Sequence, residues 1–174
     1  MNMKKIILVF FLVCAAACAF FLGSREEKAV TSFEECVKAG YPVMESYPRQ
    51  CKGPDGISFV EDIGNELEKI DLITVASPRP NQTVSSPLKL EGSARGFWFF
   101  EASFPVKLLD KDGNVIAQAI AQAKDDWMTE DFVPFEAELL FSDPGAGKGT
   151  LVLQKDNPSG LPENDDELRI PISF

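Results

Sequence analysis

Histidine is absent from all 174 residues. Its absence excludes Ser-His-Asp and Cys-His nucleophile pairs, every zinc site that needs an imidazole, and the one side chain that titrates unaided near neutral pH. Basic residues are few beside acidic ones, 17 against 27, for a net charge of −10. Such a surface repels phosphate backbones, which argues against a nucleic-acid partner. Cysteine is sparse, with four in the chain. Beyond residue 70 no helical period can be traced. What is present is ordinary for a globular chain: 45% apolar and 25% charged residues, which excludes disorder throughout.

Lys4 and Lys5 precede an unbroken apolar run over residues 6–22. At 1.5 Å per residue such a run covers roughly 25 Å, near the lower limit for crossing a bilayer. Two lysines before it favour an inside N-terminus with the rest exported. Residues 1–23 therefore read as a signal anchor or signal peptide. Phe20, Phe21 and Leu22 prolong the run past any cleavage point and favour the anchor. Ala15-Ala16-Ala17 and Ala17-Cys18-Ala19 have the small-x-small form of a cleaved signal. In a third reading Cys18 is the lipidated residue of a lipoprotein. Removing Lys4 and Lys5 leaves 15 basic against 27 acidic residues, so the exported part carries −12. Residues 24–30 read as a short polar tether.

Cys36 and Cys51 lie outside the apolar run with 14 residues between them. In a small exported stretch such a pair reads as a disulfide, contributing about 3 kcal/mol in the chain-entropy account. A thiolate metal site is the alternative, but one chain offers no further exported ligand of the right kind to complete a tetrahedral set. No cofactor is expected.

Ser32-Phe33-Glu34-Glu35 has capping-box form, which predicts a short helix over 33–39 ending at Gly40. Residues 31–60 are expected to form a small two-cysteine module, too short for a core of its own. The polar stretch 61–69 reads as an acidic linker. From residue 70 the apolar period is two. Leu88 and Leu90, Phe104, Val106 and Leu108, Ala117 to Ala123, Phe135 to Phe141, and Leu168, Ile170 and Ile172 each mark one buried strand face. With residues 70–76 and 150–155 this makes seven strands. The expected fold of 70–174 is an all-β, immunoglobulin-like antiparallel sandwich, with a small barrel as the alternative.

Residues 72–174 also resemble a known family, the immunoglobulin-like domain of bacterial spore germination. The segments that carry the resemblance are Val75-Ala76-Ser77-Pro78-Arg79-Pro80, Ser85-Ser86-Pro87-Leu88, Gly92-Ser93-Ala94-Arg95-Gly96-Phe97-Trp98-Phe99-Phe100-Glu101, Gly113, Asp126-Trp127-Met128, Phe132-Val133-Pro134-Phe135 and Asn157-Pro158-Ser159-Gly160. The resemblance implies a fold and an extracytoplasmic place, and brings no catalytic residues. The Cys36–Cys51 stretch resembles a short module that precedes such domains in other small exported bacterial proteins.

Three motifs suggest chemistry and read more simply as connections. Gly145-Ala146-Gly147-Lys148-Gly149-Thr150 lacks the Gly-Lys-Ser/Thr order and following helix of a phosphate loop. Asp110-Lys111-Asp112-Gly113-Asn114 places its glycine fourth, whereas a calcium loop needs it sixth. Glu163-Asn164-Asp165-Asp166-Glu167 reads as a solvated acidic loop. Phe97-Trp98-Phe99-Phe100 is more informative. In a strand, Phe97 and Phe99 would face one side and Trp98 and Phe100 the other. One pair would enter the core. The other would be covered by a loop or by the N-terminal module, or would form a platform for a glycan, peptide or protein, extended by Trp127 and Met128 unless these plug the sandwich end.

The expected function is non-enzymatic: an extracytoplasmic binding or adhesion-type module held at the cell envelope through its N-terminal segment, with an envelope protein or glycan as partner. The rival is an inhibitor-like or stalk protein in which the two-cysteine module is the functional part. An enzyme would need two carboxylates converging in a cleft with one pKa raised.

Overall fold

The computed structural model describes residues 29–174. The apolar run 6–22 and its Cys18, like the tether up to residue 28, lie outside the described residues. Among those described, no helix is long and apolar enough to cross a membrane. The chain divides into two compact units, one of residues 29–45 and 50–59, the other of 46–49 and 60–174.

The first unit begins with α1 (Phe33–Lys38). The Ser32 hydroxyl accepts from Glu35 N at 3.1 Å, and Glu35 Oε2 accepts in turn from Thr31 N at 2.9 Å. The returning bond of the cap thus reaches one residue further back than a capping box requires. Gly40, at φ +82°, turns the chain out of the helix. Strands β1 (Val43–Met44), β2 (Gln50–Lys52) and β3 (Ser58–Val60) form a sheet in that order. Cys36 and Cys51 are joined in a disulfide with a Cα–Cα distance of 6.0 Å. Both are fully buried, with Phe33 beside them.

The second unit holds α2 (Glu66–Lys69) and seven antiparallel strands: β4 (Ile73–Ser77), β5 (Leu88–Arg95), β6 (Ser103–Leu109), β7 (Val115–Ala123), β8 (Phe132–Leu139), β9 (Lys148–Gln154) and β10 (Glu167–Ser173). Burial follows period two along these strands except in β9, where Leu151, Val152 and Leu153 are all buried. The core collects Leu90, Phe104, Val106, Leu108, Phe135, Leu139, Leu151, Leu153, Leu168, Ile170 and Ile172. At its centre Phe104 packs on Phe99 at 5.2 Å and edge-on to Phe135 at 4.9 Å between ring centroids.

All seven strands belong to one sheet, ordered β10-β9-β6-β7-β8-β5-β4. The halves β10-β9-β6-β7 and β8-β5-β4 meet through two residue pairs, Gln122↔Glu136 and Ala123↔Phe135. On the far side, residues 81–84 run along β10. Asn81 N donates to Pro171 O at 2.7 Å, Val84 N to Ser173 O at 2.9 Å, and Ser173 N to Gln82 O at 3.0 Å. The sheet thus comes close to closing as a barrel.

The stretch 61–69, expected as a linker, is folded into this unit. Ile63, Glu61 and Glu66 are buried. Gly64 adopts φ +68°, and a Cβ there would stand 1.9 Å from Arg169 O. Polar composition misled here because the buried groups are carboxylates matched to arginines elsewhere in the unit.

Candidate binding surface

β5 ends at Arg95, and Gly96–Trp98 form a single 3₁₀ turn. That turn breaks the strand period expected of the four aromatics. Trp98 and Phe99 are the buried pair, at 0% and 4% exposure, while Phe97 and Phe100 stay 51% and 40% exposed. The cause is Gly96. Its missing Cβ would lie 1.9 Å from Thr129 O and 2.3 Å from Trp127 O, so only glycine lets this backbone press onto residues 127–131. Gly96 N donates to Asp131 O at 3.2 Å, and Phe99 N closes the turn onto Gly96 O at 3.1 Å. Glu101 and Ala102, both at positive φ, then reverse the chain into β6.

The opposing segment shows the same split. Trp127 packs against the core, as a plug would, whereas Met128 is exposed. Phe132 is partly exposed under the Arg95 guanidinium, 4.2 Å from its ring centroid. Arg95 is fixed by donating from Nε to Asp71 O at 3.0 Å and from Nη1 to Glu130 O at 3.1 Å. Two segments in backbone contact through Gly96 therefore both present apolar side chains to water: Phe97 and Phe100 from one, Met128 and Phe132 from the other. Trp98 Nε1 is buried without a hydrogen-bond partner among the described residues, while its carbonyl accepts from Asp156 N at 3.0 Å.

A second polar site is made by residues that sequence reasoning passed over. Arg49 grips Glu61 in a bidentate pair, Nε to Oε2 at 2.8 Å and Nη2 to Oε1 at 2.6 Å, and Asn81 Nδ2 adds a contact at 3.3 Å. Arg79 Nη1 donates to Glu66 Oε1 at 3.0 Å and to Val75 O at 2.9 Å, and its Nη2 donates to Tyr47 Oη at 2.8 Å. The Tyr47 hydroxyl donates to Glu66 Oε2. Arg49 beside it holds the Glu61 carboxyl below its ordinary range. Partial burial, with the hydrogen bond to Glu66, pushes the Tyr47 hydroxyl up to about 12. A general acid would need a carboxylate raised by its surroundings, and Glu61 moves the other way. The cluster braces the fold. The one sequence signal for it was Ile63, one of two aliphatic residues amid the charged and polar residues of 61–69.

The remaining motifs serve as connections. Asp110 Oδ1 accepts from Asp112 N at 2.9 Å and from Asn114 N at 2.8 Å, closing the β6–β7 hairpin. Residues 145–150 lead straight into β9. In the acidic loop, Asp166 pairs with Lys69 at 2.5 Å and Glu167 with Arg169 at 2.5 Å. Among the described residues no three potential metal ligands come together.

Compared with known proteins, residues 72–161 match the family model of the immunoglobulin-like domain of bacterial spore germination. No curated protein and no solved structure matches the chain.

Proposed function

The chain belongs to the family of the immunoglobulin-like domain of bacterial spore germination, and on that premise we propose that it is a non-enzymatic extracytoplasmic binding module held at the bacterial cell envelope. The two strand halves are read as the faces of an immunoglobulin-like sandwich, and the apolar run 6–22 as the element that holds it at the membrane. The partner is an envelope protein or glycan. The observation that carries this reading is the exposed pair Phe97 and Phe100 on a turn that Gly96 locks in place. Exposed aromatics on a rigid backbone supply contact area with little ordering cost, as anchors in binding surfaces do. The −12 charge of the exported part supports a partner reached by desolvated contacts, since exposed carboxylates act weakly and are screened beyond roughly 8 Å at physiological salt.

The rival reading takes the two-cysteine module as the active part and rests on the loop 41–50, where Met44, Glu45, Ser46 and Tyr47 are exposed while the Tyr47 hydroxyl and the Arg49 guanidinium bond to Glu66 and Glu61.

The test is capture of envelope components by the full-length chain and by a Phe97→Ser/Phe100→Ser variant. Loss of capture at unchanged melting temperature supports the reading. Equal capture by both overturns the aromatic turn as the contact surface. Fractionation that finds the protein free of membranes would overturn the anchored placement.

A further inference from the structure

The β7–β8 ladder stops after Gln122↔Glu136 and Ala123↔Phe135. Backbone polar groups alternate sides along an antiparallel strand. Ala123 N donates to Ala102 O on the β6 side, and Lys124 N donates to Pro134 O on the β8 side, each at 2.8 Å. By that alternation Gln122, Ile120 and Gln118 aim their N–H and C=O groups toward β8. The next pair in register would join Ile120 to Glu138, and the strands part before reaching it. A notch of about 430 Å³ opens there, lined by Lys89, Glu91, Ile120, Gln122, Glu136 and Glu138. Gln118 and Ile120 thus have no ladder partner on β8.

Free strand edges usually carry charges, prolines or covering segments that discourage pairing. The β10 edge is covered, by Asn65 and by residues 81–84. β7 has neither a charged residue nor a proline in its nine positions. Its rim is apolar as well: Ile120 is 54% exposed, and Leu140, just past β8, is 70% exposed. Facing inward are the small, partly buried Ala119 and Ala137, which leave room above the core. On β8, Glu136 is paired with Lys124 at 2.7 Å. Glu138 makes no ion pair among the described residues, although Lys89 stands opposite it on β5.

We propose that this notch receives one extended peptide strand of a partner protein, paired antiparallel to β7 through the backbone of Gln118 and Ile120. Strand addition of this kind draws its affinity from main-chain bonds and its selectivity from alternate side chains. Here a lysine or arginine would rest its aliphatic stem against Ile120 with its charge beside Glu138, and the alternate aliphatic residues would face inward over Ala119 and Ala137. A second copy of the chain suits the site less well: it would bring a β7 with no positive charge, on a molecule of net charge −10. The surface is separate from the aromatic turn, and the proposal stands or falls independently of it.

The test uses the full-length chain and an end-blocked heptapeptide that alternates Val and Lys. Amide hydrogen exchange at Gln118 and Ile120 should slow about tenfold on adding the peptide, with Lys124 unchanged. The same peptide N-methylated on the amides that face β7 should give no slowing, and a Val/Glu peptide should bind more weakly. Ile120→Pro removes only the notch-facing N–H and should abolish peptide binding. If that variant fails to fold, the N-methyl comparison on the natural chain decides. The proposal is overturned if Gln118 and Ile120 exchange slowly without peptide, if N-methylation changes nothing, or if the slowing follows protein concentration alone, as self-pairing would.

Discussion

Asn65 and Arg169, 104 positions apart, hold each other by two hydrogen bonds: Asn65 N donates to Arg169 O at 3.3 Å, and Arg169 N donates to Asn65 Oδ1 at 2.7 Å. Asn65 Nδ2 also donates to Glu167 O at 3.0 Å. One residue thus does for the edge of β10 what a neighbouring strand would do, meeting its groups in alternation.

Asn65→Ala removes two of these three bonds and leaves Arg169 N without its acceptor. The expected loss is about 1–3 kcal/mol, read by urea unfolding. Gly64→Ala should cost at least as much, because the new Cβ meets Arg169 O and the backbone stands at φ +68°. A neutral outcome for both would mean that residues 61–69 are the loose connection their composition suggests.

The aromatic turn separates core from surface within adjacent residues. Trp98→Ala should destabilise by about 3–5 kcal/mol, as truncation of a buried ring does. Phe97→Ala should stay within about 0.5 kcal/mol, as surface changes do. Thermal melts of the two variants measure the contrast directly. Equal losses would show that Phe97 is covered in solution.

At low pH the Arg49–Glu61 pair sets the expectation. The Glu61 pKa is lowered on folding, so its contribution is present above the ordinary value of 4.5 and is lost as pH falls through the lowered one. Glu61→Gln should lose about 2 kcal/mol at neutral pH. It should also show a shallower decline in stability below pH 4.5 than the natural chain, as followed by circular dichroism across an acid titration.

At high pH the sign reverses. Tyr47 keeps its proton longer when folded, with its pKa moved from 10.0 to about 12. Its contribution is therefore complete below pH 10 and falls away as the pH rises toward 12. Tyr47→Phe should flatten the alkaline limb of the stability profile. An absorbance titration of phenolate should lose its latest step in that variant. An unchanged alkaline limb would mean that the Glu66 contact does not persist in solution.

Reducing the Cys36–Cys51 disulfide should unfold the first unit, whose buried hydrophobic cluster is the two cysteines and Phe33. The second unit, with its own core, should keep its near-ultraviolet signal. Loss of both signals in one transition would show that the two units fold together.

The strands were legible because alternation alone places them. Phe104, Val106 and Leu108 fall on one face by alternation, and Ser32 and Gly40 mark both ends of α1. The aromatic turn was legible as a place but not in its detail. Phe97-Trp98-Phe99-Phe100 reads as a strand unless the close approach of Gly96 to Thr129 O is known, and that contact depends on residues 33 positions away. Glu61 and Glu66 were misread for a related reason. Whether a glutamate is buried depends on whether an arginine reaches it, and Arg49 and Arg79 lie on other segments. The join between the strand halves was hidden as well, since period two fixes which residues point inward but not where a ladder ends.

That join has a mechanical meaning. Two rungs and the Lys124 N to Pro134 O bond carry the backbone linkage between β7 and β8, and on the far side residues 81–84 bond to the backbone of β10. The two halves are therefore tied by directional bonds at both seams, with packed side chains between them. Strain introduced at Phe135, which touches Phe104 across the interior, meets a sheet fastened on both sides rather than a leaf free to swing.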